Sequence, residues 1–318
     1  MNKSNSDKFF SFSCRAGAAL SAWCPDFVFA AGGAETAVEW WLWPLALLVV
    51  CFFLGMIAVP AGIGGGVLFV PIVSGFFPFH LDFVRGAGLM VALASALAAG
   101  PGLLRIGLAD IRLALPLTLL ASVGAIAGAL IGLALPVAVV ETALGVTILC
   151  IALLMWRSKK SEFPEVARPD ALSAALRMTG VYHDHTLGRE VAWQVRGTPL
   201  ALLLFGGIGM LAGLFGLGAG WANVPVLNLV MGAPLRLSAG TSGFILSIVD
   251  SSAAWVYINK GALLAVVAVP SIIGMMLGAF IGARLLRTLD ASAIKKLVIV
   301  ILLLSGVRAL SKGMGWWV

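Results

Sequence analysis

Gly62-Ile63-Gly64-Gly65-Gly66-Val67-Leu68-Phe69-Val70-Pro71 returns 154 residues later as Gly216-Leu217-Gly218-Ala219-Gly220-Trp221-Ala222-Asn223-Val224-Pro225. The same 154-residue shift, without a gap, pairs Leu81 with Leu235, Gly86 with Gly240, Gly107 with Gly261 and Pro116 with Pro270, and Gly124 and Gly128 with Gly278 and Gly282. Apolar residues coincide by chance; glycines and prolines held in register from residue 62 to 128 do not. The chain therefore reads as two copies of one unit.

What surrounds the repeat sets its environment. Hydrophobic residues make up 61% of the chain and charged residues 11%, against about a quarter charged in an ordinary soluble domain. Long, nearly charge-free windows meet the need for about 20 apolar residues per spanning helix. Expected spans are Trp41–Val59, Val84–Leu104, Leu113–Ala134 and Val137–Trp156 in the first half. In the second they are Thr198–Phe215, Leu237–Ile258, Ala262–Leu286 and Ile294–Leu310. The runs Val67–Phe77 and Trp221–Met231, just after each glycine element, hold 11 residues each, or only ~16 Å of helix, too short to cross. The fold class is thus an all-α polytopic membrane protein. About eight transmembrane helices form two tandem repeats, each with a glycine-interrupted short or re-entrant segment. The organisation is a leader at 1–38, a first membrane repeat at 39–158, a polar linker at 159–196 and a second membrane repeat at 197–318. The leader resembles a signal peptide, with Lys3 and Lys8 before an apolar patch and Val28-Phe29-Ala30 before Ala31-Gly32-Gly33, but Arg15 interrupts it. A segment lying on the membrane surface is the other reading. Prolines and charges put the linker outside the membrane, with room for one short helix near Ala171–Met178.

The glycine elements carry the first functional expectation. Non-helical backbone at membrane depth survives only where it packs on protein or lines a cavity. A short helix starting there aims free N–H groups and a positive dipole end inward, which suits anions. Matching interrupted segments in two halves point to a transporter's substrate site. Gly62, Gly64, Gly66, Gly216, Gly218 and Gly220 are the candidates, with close helix packing as the alternative. The Gly124/Gly128 and Gly278/Gly282 pairs lie inside full spans and read as packing glycines.

Polar groups inside spans add to the list. The second half holds Asn223, Thr241, Ser242 and Asp250; the first is far poorer, so the halves read as unequal. Asn223, Thr241 and Ser242 are candidate anion contacts. Asp250, the one acidic residue well inside an expected span, is a candidate proton or cation coupling site; the alternative is a structural partner, such as Lys260 if the helix ended early. Arg85 and Arg236 each stand near a span's start, and arginine suits bidentate oxyanion binding. Interfacial snorkelling explains them equally well.

Several classes are excluded. The net charge of +7 comes from basic residues flanking apolar segments, not from a phosphate-binding face, so no nucleic-acid partner is expected. No His-Glu-x-x-His, Walker loop or Cys-x-x-Cys occurs, and the four cysteines have no ligand spacing. Gly240-Thr241-Ser242-Gly243 resembles the serine element of rhomboid proteases, but no histidine follows Ser242 to act as its base. Neither an enzyme nor a cofactor or metal is expected.

The paired elements at Gly62–Pro71 and Gly216–Pro225, together with Leu237-Ser238-Ala239-Gly240-Thr241-Ser242, resemble those of the sulfite exporter TauE/SafE family. The resemblance covers about 41–158 and 197–311. It implies a multi-pass permease of the bacterial inner membrane that exports sulfite or small organosulfonates such as sulfoacetate. The expected partners are a small anion and the lipid bilayer, and a homo-oligomer is left open. The reading from another class is a non-transporting assembly or sensor subunit that docks a partner through its linker. Eight spans put Arg105, Arg112, seven linker cations, Lys260, Arg308 and Lys312 on one side and six other cations on the opposite side. That excess favours cytoplasmic termini and linker, whereas a cleaved signal peptide demands the reverse. Four spans per half give same-direction repeats; a short segment that carried the chain across would invert them.

Overall fold

The computed structural model describes residues 41–61, 64–105, 109–157, 169–184, 189–285 and 291–315. The expected leader and Gly62 lie outside the described residues. Helix α1 is Leu42–Ala61, α2 Gly65–Phe76, α3 Leu81–Arg105, α4 Ile111–Ala134 and α5 Val137–Arg157. The linker holds a short α6 (Ala171–Ala175) and strands β1 (Thr179–Asp184) and β2 (Arg189–Gln194). Then come α7 (Thr198–Phe215), α8 (Gly220–Pro225) running into a wider turn at Val226–Val230, α9 (Leu235–Asn259), α10 (Ala265–Leu285) and α11 (Ala291–Gly313). Among the described residues, six helices (α3, α4, α5, α7, α9 and α10) are long and apolar enough to cross a membrane. Helices α1 and α11 run for 20 and 23 residues. The outward positions are apolar: Leu119, Leu203 and Leu304 are each at least 67% exposed. Water would not tolerate such a surface over a whole molecule, but lipid does.

Local chemistry sets the helix ends. The Asp110 carboxylate accepts the Leu113 N–H at 2.9 Å and caps α4. Gly216 closes α7 in the left-handed conformation, φ 69°, with its N–H on the Ala212 carbonyl. The short segment after the second glycine run is less regular than a plain helix. Pro225 and Asn228 lie in it, and the Asn228 side-chain amide donates to the Ala233 carbonyl at 2.9 Å.

Close helix pairs account for the remaining glycines. A Cβ at Gly124, Gly128 or Gly132 would strike the backbone of α7 at Gly206, Met210 and Leu214 respectively. Both positions advance by four together, so α4 and α7 run in the same direction. A Cβ at Gly274, Gly278 or Gly282 would likewise strike Leu48, Phe52 and Met56, so α1 and α10 run in the same direction. The packing role expected for Gly124, Gly128, Gly278 and Gly282 is what these positions do.

Contacts also order the helix ends. The Asp110 amide donates to Thr241 Oγ1 at 3.2 Å, so α4 and α9 start together at what we term the linker end. There the Arg196 amide also donates to the Met231 carbonyl. At the other end of α9, Tyr257 lies under the guanidinium of Arg85, 5.8 Å from the ring centre, in the second turn of α3. Lys312, in the last turn of α11, donates to the Ser74 carbonyl and pairs with Glu141 at 2.8 Å, at the same end as Arg85. The C-terminal helix therefore finishes opposite the linker. The same-side arrangement expected from eight full spans is overturned, because the short segment Gly220–Val230 carries the chain back from the Arg85 end, where α7 finishes, to the linker end, where Met231 meets Arg196. Helix α2, only 12 residues long, makes the matching return in the first half. Arg85 and Lys260 share that end, and Arg236 shares the linker end, against the expected grouping.

The linker differs from expectation too. It contains a two-stranded antiparallel sheet, Thr179 opposite Gln194 through Asp184 opposite Arg189, a small addition outside the helices of an all-α membrane fold. Met178, Trp193 and Val195 are buried in one core with Phe205, Met231 and Leu237. Ser173 Oγ donates to the Val195 carbonyl at 3.0 Å, and Thr198 donates to the Asp170 carboxylate at 2.9 Å. The signal was an alternation too short to separate from loop: Val181, Val191 and Trp193 stand among charges.

Candidate functional site

The two glycine elements meet. A Cβ on Gly64 would lie 3.8 Å from the Gly220 Cα, and one on Gly220 would lie 2.8 Å from the Gly64 amide nitrogen. One on Gly66 would press on the Leu217 and Gly88 carbonyl oxygens, at 2.6 and 2.9 Å. At Gly66 and Gly220 the approach to backbone is too close for any side chain, while at Gly64 the added carbon would make an ordinary contact with Gly220. The short helix α2 starts at this meeting point. Its first N–H, that of Gly65, donates to Ser95 Oγ at 3.3 Å, and Ser95 Oγ in turn donates to the Ala92 carbonyl at 2.7 Å.

Helix α9 supplies the wall. Leu246 Cδ1 touches the space beside both Gly64 and Gly220, and forms a small buried cluster with Ala92 and Ala96 of α3. One turn further, the Asp250 carboxylate lies against Gly218: a Cβ there would be 3.0 Å from Asp250 Oδ2 and 2.9 Å from the Ala92 Cβ. Gly218 also has φ 72°, which a side chain at this position would strain. Asp250 is fully buried, and neither of its oxygens has a hydrogen-bond partner among the described residues. The alternative of a Lys260 ion pair therefore fails; α9 runs on to Asn259, more than two turns beyond Asp250. Asn223 on α8 is equally buried, and its amide oxygen and nitrogen both lack partners. Buried polar groups are nearly always satisfied. Asp250 and Asn223, on neighbouring elements, are therefore the candidate polar groups of the site.

The other expected residues separate into two groups. Ser242 lies two turns before Asp250 on α9 and is 4% exposed. Thr241 points elsewhere, since its hydroxyl accepts the Asp110 amide between α9 and α4. Arg85 is 1% exposed, so it does not snorkel. Its guanidinium donates to the Gly132 and Leu214 carbonyls and to the Asp82 carboxylate, and its buried Nε has no partner among the described residues. Tyr257 completes this layer by donating to the Gly213 carbonyl at 2.9 Å. Gly216 packs against the Arg85 backbone, joining the second glycine element to it. Arg236 is half-buried in the first turn of α9, at the linker end. Residues that the sequence did not single out include Ala92, Tyr257 and Leu246. The first and third could have been found, because Ala92 and Leu246 are themselves 154 residues apart.

Long apolar helices packed around a close meeting of glycine segments define a polytopic membrane protein. The chain from residue 47 to 309 matches the family "Sulfite exporter TauE/SafE". It belongs to that family, which is a family of membrane transporters of sulfite-type anions. No curated protein and no solved structure matches the chain.

Proposed function

We propose that this protein exports small sulfur oxyanions, sulfite or organosulfonates such as sulfoacetate, across the inner membrane through the site where its two glycine elements meet. The observation that carries the reading is the contact of Gly64 with Gly220 beside two buried, unpartnered polar side chains, Asp250 and Asn223. Backbone N–H groups, the positive end of α2 and the Asn223 amide supply what an oxyanion needs. Gly62, outside the described residues, belongs to the same element. Arg85 borders the site and contributes its field, while Thr241 and Arg236 act through packing and position.

The eight long helices cross the membrane, and the halves are inverted repeats. The support is an exchange of contacts under the 154-residue shift. Gly64 against Leu246 becomes Gly218 against Ala92, Gly128 against Met210 becomes Gly282 against Met56, and Gly209 against Ala121 becomes Gly55 against Met275. Inverted repeats meeting at a midplane site suit alternating access. They also remove the conflict over orientation. Arg112, Arg157, Arg177, Arg189, Arg196 and Arg236 gather at the linker end, whereas Arg85, Lys260, Arg308 and Lys312 lie at the other. The linker end is then cytoplasmic by the positive-inside rule, and α1 starts from the outer side, as a signal-like leader requires. The test is sulfite counterflow in vesicles holding purified protein. Labelled sulfite should exchange far faster than in protein-free vesicles, and equal rates would remove the transport reading.

A further inference from the structure

We infer that Asp250 takes up a proton before the anion enters, so that one proton travels with each singly charged sulfur oxyanion, in the same direction. The inference rests on the transport reading and deepens it. Asp250 stands at the glycine element, against Gly218 and one turn from Leu246, which touches both Gly64 and Gly220. An anion held by the glycine backbone therefore lies beside this carboxyl group. Two negative charges in an apolar, water-poor place repel strongly, and among the described residues no cation pairs with Asp250.

The surrounding charges bear this out element by element. Helices α2, α7 and α8 carry no charged residue. On α3, Asp82 and Arg85 precede Ala92 by ten and seven residues, and Arg105 ends the helix. Asp110 and Arg112 stand at the start of α4. On α9 itself, Arg236 is in the first turn, and Tyr257 follows Asp250 by seven residues, ~10 Å along the axis. The Arg85 guanidinium is committed to Asp82 and two backbone carbonyls in that second layer. A proton is thus the ligand that lets Asp250 and an anion coexist, and the neutral acid gains an O–H to donate to the anion. No bond is made or broken apart from that O–H: water on one side supplies the proton, and water on the other side receives it.

The asymmetry of the two halves agrees. The shift partner of Asp250 is Ala96, so the site holds one such carboxyl group, and the coupling is one to one. With a singly charged anion the cycle moves no net charge, so export runs down the outward anion gradient, opposed by any inward pH gradient and unaffected by the membrane potential.

The experiment uses methanesulfonate, which keeps its single charge at all working pH values, in vesicles with an entrapped pH dye and a potassium–valinomycin voltage clamp. Sulfite counterflow in the same vesicles is the control. Wild-type protein should move methanesulfonate together with protons, independently of voltage, and one pH unit should sustain about a tenfold methanesulfonate gradient. Asp250→Asn should hold no gradient from pH and should become voltage-dependent. Vesicles that exchange sulfite yet pass methanesulfonate without protons, or pass none, overturn this inference and leave the transport reading standing. Vesicles that exchange neither overturn both. The wild-type arm decides the question even where Asp250→Asn fails to fold.

Discussion

Gly64 and Gly218 hold equivalent positions under the 154-residue shift, yet they face different neighbours. Gly64 meets the far end of a flexible leucine, Leu246 Cδ1, 3.2 Å from where a Cβ would lie, and its φ is −57°. Gly218 meets Ala92 and Asp250 with φ 72°. The first half thus supplies a smooth apolar wall with one serine, Ser95, tied to backbone, and the second supplies the unpartnered groups. The two stretches align in register yet differ in chemistry, and the proposed transport uses both: the geometry lets two chain segments touch, and the chemistry gives the anion its contacts.

The largest expected effect comes from breaking that difference directly. Gly218→Leu should reduce sulfite counterflow per folded molecule by about 100-fold, because the branched side chain fills the space before Asp250 and strains a left-handed backbone. Gly64→Ala should cost only a few-fold, since Leu246 can move by a rotamer. Counterflow normalised to monodisperse protein compares the two. Equal losses would mean that the halves contribute alike.

A second substitution separates site from scaffold. Gly278→Leu drives a side chain into the Phe52 carbonyl between α10 and α1. It should destabilise the fold by about 3 kcal/mol through overpacking, read as a lower melting temperature in detergent, with counterflow per folded molecule little changed.

The contrast also shows what the residues alone could reveal. The glycine register, the short segments and the apolar runs were legible because each follows from elementary constraints: helix rise, membrane thickness and glycine's missing Cβ. Asp250 and Asn223 were legible as costly groups in apolar surroundings. Direction was not, because it turns on whether 12 residues of α2 return the chain or merely dip, and composition is the same in both cases. Nor was the fate of Arg85 and Thr241. A polar side chain near a helix start reads identically whether its partner is a ligand or the carbonyl of Leu214 or the amide of Asp110. The linker misled for another reason. Three of its apolar residues, Met178, Trp193 and Val195, are buried, so a neutral spacer in its place would expose core rather than merely remove a docking surface.

The smallest effect concerns that linker. Burial works against the Asp170 carboxylate, but hydrogen bonds from Ser173 and Thr198 outweigh it and hold the group below its ordinary range. A depressed folded-state value stabilises above the unfolded value and is lost as pH falls through the folded one. Hydrogen exchange in 170–198 should therefore rise in acid below the usual aspartate range, and Asp170→Asn should flatten that response.

The central claim is that the meeting point of the two glycine elements is where the anion binds. Counterflow of labelled sulfite by wild type, Gly218→Ala and Gly282→Ala, each normalised to folded protein, tests it most directly. Both substitutions add one methyl group against close neighbours: Asp250 and Ala92 in the first case, the Met56 carbonyl at 2.7 Å in the second. The account predicts a loss of about tenfold or more for Gly218→Ala. For Gly282→Ala it predicts wild-type counterflow from a less stable protein. Unchanged counterflow in Gly218→Ala, or the same loss in both variants, would contradict it.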